Sequence, residues 1–198
     1  MGNFKKIIII ITAILIVIFS TSCNKQQETK LTIPESGYIT KLPLEINNTP
    51  KDDIEYATEF FSTYAKDLNL YAYLMDDTTI MLVNNLEGEI NPYEELTYSA
   101  TDNKREIKYR YLCYDDFSKF DKDLVCSQVE TIFGIDLKQN YFDDTIDRLN
   151  ELVIDLDNEM VLPMSIDTGY DISVVVGIAK NNNQIFLSVV VDYIALQE

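Results

Sequence analysis

"ISVVVGIAK", residues 172–180, and "QIFLSVVVDYIAL", residues 184–196, are two runs rich in β-branched side chains, separated by three asparagines at 181–183. Valine and isoleucine suit a pleated, half-buried surface and asparagine suits a tight turn, so the pair reads as an antiparallel hairpin. Turning at 181–183 sets Ile178 opposite Leu187, Val176 opposite Val189, Val174 opposite Val191 and Ile172 opposite Tyr193. That face is uniformly large and apolar. The other pairs Gly177 with Ser188 and Ser173 with Asp192, so the expected sheet buries one face under helices and leaves the second exposed or lightly covered.

Earlier in the chain the same alternation recurs. "EELTYSATDNKREIKYRYLCY", 94–114, reads as a hairpin around Asp102 and Asn103, which places Tyr98 opposite Ile107, Leu96 opposite Tyr109, and Glu95 opposite Arg110 on the reverse side. "LYAYLMDDTTIMLV", 70–83, admits two readings, a continued helix or a hairpin turning at Asp76 and Asp77 with Tyr73 opposite Ile80. The hairpin is favoured, because Thr78 to Val83 is strand-like and aromatic residues alternate before it.

Helices are expected in three places. "TPKDDIEYATEFFSTYAKDL", 49–68, begins with an N-cap threonine, a proline at the first helical position and two aspartates in the positive first turn. Ile54, Ala57, Phe61, Tyr64 and Leu68 then follow at helical spacing. Leu124, Val125, Val129, Ile132 and Phe133 form a second stripe, and Gly134 is placed to end it. A third helix, near 141–156, turns Phe142, Ile146, Leu149, Leu152, Val153 and Leu156 inward and Asp143, Asp147 and Glu151 outward. The fold class is therefore α+β: an antiparallel sheet built from hairpins, with about three helices packed on one face.

The N-terminus carries a different message. Lys5 and Lys6 precede an apolar run from Ile7 to Phe19, followed by Ser20, Thr21, Ser22 and Cys23. This mostly apolar run of thirteen residues falls short of the roughly 20 needed to cross a bilayer, and the order of basic, apolar and small residues is that of a secretory signal. "FSTSC" resembles the lipobox of bacterial lipoproteins, with Ser20 standing where leucine is commonest. The resemblance implies cleavage between Ser22 and Cys23, diacylglycerol on the Cys23 thiol, and attachment to the membrane on its extracytoplasmic side. The expected division is a signal peptide over 1–22, a lipidated cysteine and polar tether over 23–48, and one domain over 49–198. A tether of that length reaches ~25 to 30 Å.

Composition then narrows function. Loss of Lys5 and Lys6 with the signal leaves 14 basic residues against 33 acidic ones, a mature charge of about −19. Such a body repels nucleic acid and anionic lipid, so no nucleic acid partner is expected and attachment falls to the lipid. The chain contains no histidine, which removes His-dependent nucleophilic and zinc-hydrolytic mechanisms. No glycine-rich phosphate loop, nucleophile elbow or paired CxxC occurs. Cys113 and Cys126 are the cysteines left beyond the lipidation site, either bridged or buried as thiols. The acidic helix face and "DLDNE", 155–159, are the one candidate for an ion; their spacing matches no EF-hand loop and Arg148 sits among them, so a solvated face is expected, with no metal and no cofactor. These readings point to a non-enzymatic binding domain that takes an envelope protein or a small ligand. The alternative is a carboxylate-dependent, glycosidase-like envelope hydrolase.

Overall fold

The computed structural model describes residues 30–85, 91–114, 119–153, 161–181 and 184–196. Its described strands form one seven-stranded antiparallel sheet in the order β1-β2-β3-β4-β7-β6-β5. The strands are β1 (Tyr71–Asp76), β2 (Thr79–Val83), β3 (Tyr93–Thr101), β4 (Lys104–Tyr114), β5 (Val161–Ile166), β6 (Ser173–Asn181) and β7 (Gln184–Leu196). The helices are α1 (Pro50–Tyr64), α2 (Lys122–Phe133) and α3 (Asn140–Val153), with a 3-10 turn at Tyr38–Lys41.

Local chemistry sets the helix ends. Thr49 caps α1, its hydroxyl accepting from the Asp52 amide at 3.3 Å and donating to the Asp52 carboxylate at 2.9 Å. Asp121 caps α2 through the Leu124 amide at 2.9 Å, and Gly134 ends it with φ 71°, a left-handed conformation that glycine adopts without strain. Helix α1 stops at Tyr64, four residues before the expected end. A run of turns leads to Asn69, whose φ of 55° reverses the chain into β1.

Two meanders, β1 to β4 and β5 to β7, meet at β4 and β7. The expected registers hold: Tyr98 faces Ile107 and Glu95 faces Arg110, while Val176 faces Val189 and Ser173 faces Asp192. Residues 70–75 belong to a hairpin rather than a helix, but its register is one residue from the expected one. Tyr73 lies opposite Met81 and Leu74 opposite Ile80, with an irregularity between Leu74 and Asp76.

All three helices lie on one face of the sheet. Ile80, Leu82, Leu96, Tyr98, Ile107, Tyr109, Val174, Val176, Leu187, Val189 and Val191 join Phe61, Val129, Phe133, Phe142 and Leu149 in one buried core. Alternate residues of β4 tell the two faces apart: Arg105, Ile107, Tyr109, Tyr111 and Cys113 are buried, and those between are half-buried.

The stretch 31–48, expected as a polar tether, is packed into the domain, which runs as one unit over Leu31–Glu198. Ile39 and Leu42 are buried in the core, Tyr98 donates from its hydroxyl to the Pro43 carbonyl at 2.8 Å, and Gly37 lies against the end of α2. Scattered apolar residues without a regular period hid this role, because the segment packs as an irregular strap and not as an element.

Candidate functional site

Exposed large apolar side chains gather on β1: Tyr71, Tyr73, Leu74 and Met75 are 57, 40, 52 and 59 % exposed. The strand is the end member of the sheet, so β2 covers one of its edges and, among the described residues, nothing pairs with the other. Register with β2 puts Tyr71 and Tyr73, opposite Val83 and Met81, on the helix-free face; Ala72 and Leu74 face the helix side with Leu82 and Ile80.

Two clefts lie toward the Tyr71 end of this patch, one on each face of the sheet. On the helix-free face, Tyr73, Val83 and Tyr93 line one of about 250 Å³. The Tyr73 hydroxyl donates to Met81 Sδ at 2.9 Å, and the Tyr93 hydroxyl donates to Glu95 Oε2 at 2.9 Å. Burial, and then that carboxylate, push the Tyr93 hydroxyl far above the ordinary tyrosine range, so it stays protonated and a donor. The second cleft, about 500 Å³, lies where α1 ends and β1 begins, lined by Ser62, Lys66, Leu70 and Ala72 among others. Both clefts are open and mix apolar with polar walls, with Asn85 in the first and Ser62, Lys66 and Asn69 in the second.

Apart from Asp76 at the end of β1, whose carboxyl the Thr78 hydrogen bonds hold low, the carboxylates with shifted ionisation lie elsewhere. Glu94 is buried on the helix side and accepts from the Tyr109 hydroxyl at 2.8 Å. Burial pushes its carboxyl up against that hydrogen bond, and the Asp121 charge adds to the rise. Asp192, pushed up by burial and by Glu106, pairs in register with Lys108 on the opposite face. Among the described residues, its buried Oδ1 has no hydrogen-bond partner. Burial also opposes the charge of Glu106, but Lys104 at 2.5 Å and Lys108 at 2.9 Å outweigh it and hold that carboxyl below its usual range. Glycosidase chemistry needs two carboxyls flanking one bound sugar. The two raised acids, Glu94 and Asp192, are separated by the sheet itself.

Of the residues singled out from sequence, Ser22 and Cys23 lie outside the described residues, as does 155–159. Cys113 faces the core from β4, Cys126 is half-buried on α2, and no bridge joins them. Burial raises the Cys126 thiol above the usual cysteine range, which makes it a poor nucleophile. Asp143 and Asp147 are exposed on α3, and Asp143 is paired with Lys122 of α2. Among the described residues no cluster of three His, Cys, Asp or Glu side chains is arranged to hold a metal ion. Nor is any described helix long and apolar enough to cross a membrane.

Sequence reasoning favoured 70–75 as the first arm of a hairpin and gave Tyr71, Tyr73 and Met75 no role at a surface. The signal that marked them was present, a strand of aromatic and aliphatic residues with no lysine or proline within it. What was missing was its place at the sheet's end. Comparison of the chain with protein-family models, with curated proteins and with solved structures found no match.

Proposed function

We propose that this chain is a lipid-anchored extracytoplasmic protein whose domain binds another protein through the exposed 71–75 patch and catalyses no reaction. The observation that carries the binding reading is the concentration of exposed apolar side chains on one edge strand, flanked by two clefts. Soluble surfaces rarely cluster such residues unless they meet a partner. Anchoring rests on "FSTSC" at 19–23. Because the folded unit begins at Leu31, a lipid on Cys23 leaves residues 24–30 as connection, a covalent reach of at most ~25 Å. Leu31 pairs with Tyr170 between β5 and β6, so the chain enters the domain near the sheet edge opposite the patch.

The test expresses the full chain and Cys23→Ser in a bacterial host fed a labelled fatty acid, with a photo-reactive residue at position 73 or, as reference, at Tyr141 on α3. Wild type should take up label and sediment with membranes, Cys23→Ser should do neither, and position 73 should give a cross-link that position 141 does not. Equal solubility of the two forms overturns the anchor. Identical cross-linking from both positions overturns the patch.

A further inference from the structure

We infer that β1 binds its partner by strand addition, and that the occupant is an extended segment carrying lysine or arginine where it reaches Asp76 and Asp77. This rests on the reading of the 71–75 patch as the binding surface and states how that surface works. An end strand directs about half of its backbone N–H and C=O groups outward, and natural proteins blunt such edges with proline, lysine or a covering element. The opposite edge of this sheet is blunted, because β5 carries Pro163 at its third position. Strand β1, "YAYLMD", has neither proline nor lysine, and its one irregularity lies between Leu74 and Asp76 beside the hairpin, which leaves 71–74 as a regular edge.

Strand addition also gives a use to the exposed side chains on both faces of β1 and to the cleft where α1 ends. Successive side chains of an added strand point to opposite faces of the sheet. Those on one side would lie beside Tyr71 and Tyr73 on the helix-free face, and those on the other beside Ala72, where the cleft at Ser62, Leu70 and Ala72 opens. Main-chain pairing supplies affinity in this mode, and these side-chain contacts supply choice.

Charge selects the occupant. Asp76 and Asp77 close the β1–β2 hairpin, and Asp76 is held ionised by the Thr78 amide at 2.7 Å and hydroxyl at 2.8 Å. Lys66 lines the cleft at the other end, so the cationic part of the occupant belongs at the hairpin end. The chain as a whole carries −17, which draws a cationic segment in and opposes a second copy of itself.

Hydrogen exchange of the full chain in detergent tests this with three capped eight-residue peptides. The first alternates valine with lysine, the second replaces lysine by glutamate, and the third keeps the lysines but is N-methylated at alternate amides. The first should slow exchange of the 71–76 amides at least fivefold and bind at least tenfold more tightly than either of the others. Tyr73→Lys should weaken it at least tenfold while the 79–83 amides stay protected; if that variant loses the 79–83 protection, Tyr71→Lys takes its place. Equal binding of the N-methylated peptide, equal binding of the glutamate peptide, or no protection of 71–76 at saturation overturns the inference. Protection that rises with protein concentration and no peptide also overturns it, in favour of a second copy. A cross-link from position 73 that persists while these peptides fail leaves the binding patch standing and removes only strand addition.

Discussion

Arg105 and Lys104 are neighbours on β4, and their charges sit in opposite surroundings. Arg105 points into the core with its side chain 0 % exposed, and it meets Asp53 of α1, itself 1 % exposed, at 2.6 Å. Its remaining donors reach the carbonyls of Asn48 at 3.1 Å, Lys104 at 3.0 Å and Thr101, while Asp53 also accepts from the Asn48 amide at 3.1 Å. Every arm of the guanidinium is satisfied. Lys104 points to the helix-free face, where it shares Glu106 with Lys108 in partial contact with water. One residue of offset turns a charge from a strut into a surface group. The buried pair ties three segments together, the 31–48 strap, the start of α1 and the β3–β4 hairpin; the exposed ladder ties only neighbours on its own strand and β7.

The comparison can be broken in several ways. The largest effect expected is from removing the strap. A chain starting at residue 49 should show no cooperative thermal transition, whereas one starting at 31 should melt sharply. Sharp melting of both would mean that Ile39, Leu42 and the carbonyls of Pro43 and Asn48 are dispensable to the core. Next is Arg105→Met, which strands the Asp53 carboxylate and should cost ~3 to 5 kcal/mol in denaturant unfolding. A loss below ~1 kcal/mol would show that the pair is not a strut, and Asp53→Leu added to Arg105→Met should recover much of the stability. Gly37→Ala comes third. A methyl there would lie within 2.7 Å of the Ile132 carbonyl oxygen and nearer still to the Phe133 backbone, an overpacking cost of ~1 to 3 kcal/mol.

The helix-free face should respond weakly. Glu106→Gln at neutral pH should cost about 1 kcal/mol or less. Because the two lysines hold that carboxyl low in the fold, its contribution is present above the ordinary glutamate range and is lost as pH falls through the depressed value. The smallest change, and of opposite sign, belongs to Asp192→Asn. Its carboxyl is raised in the fold, so ionisation works against the native state above that raised value and the penalty fades towards pH ~4, where the unfolded chain is also protonated. The variant should therefore melt slightly higher than wild type at neutral pH and level with it in acid. A lower melting temperature at pH 7 would mean that the Asp192 charge is doing favourable work with Lys108.

Registers inside each long hairpin were legible because a two-residue turn and a strict alternation leave one solution: a slip of one would move Val174, Val176 and Ile178 to the wrong face. The α1 cap and the Gly134 stop were legible because capping is a contact between residues a few positions apart. The β1–β2 register was missed by one, since an irregularity near Asp76 leaves no trace in hydrophobic pattern. Arg105 looked like any charged strand residue, because its partner lies 52 positions away.

By itself the sequence determined what short-range chemistry decides: which segments coil, which pair into hairpins, which face of each is apolar, and that no histidine is available for catalysis. Tertiary structure alone decided that β7 lies against β4, that 31–48 closes the core, and that β1 is an end strand among the described residues while β5 carries its proline. These depend on contacts between distant parts of the chain, which no local period records. The candidate site belongs to this second group, because a strand is an edge only by virtue of the strand that is not beside it.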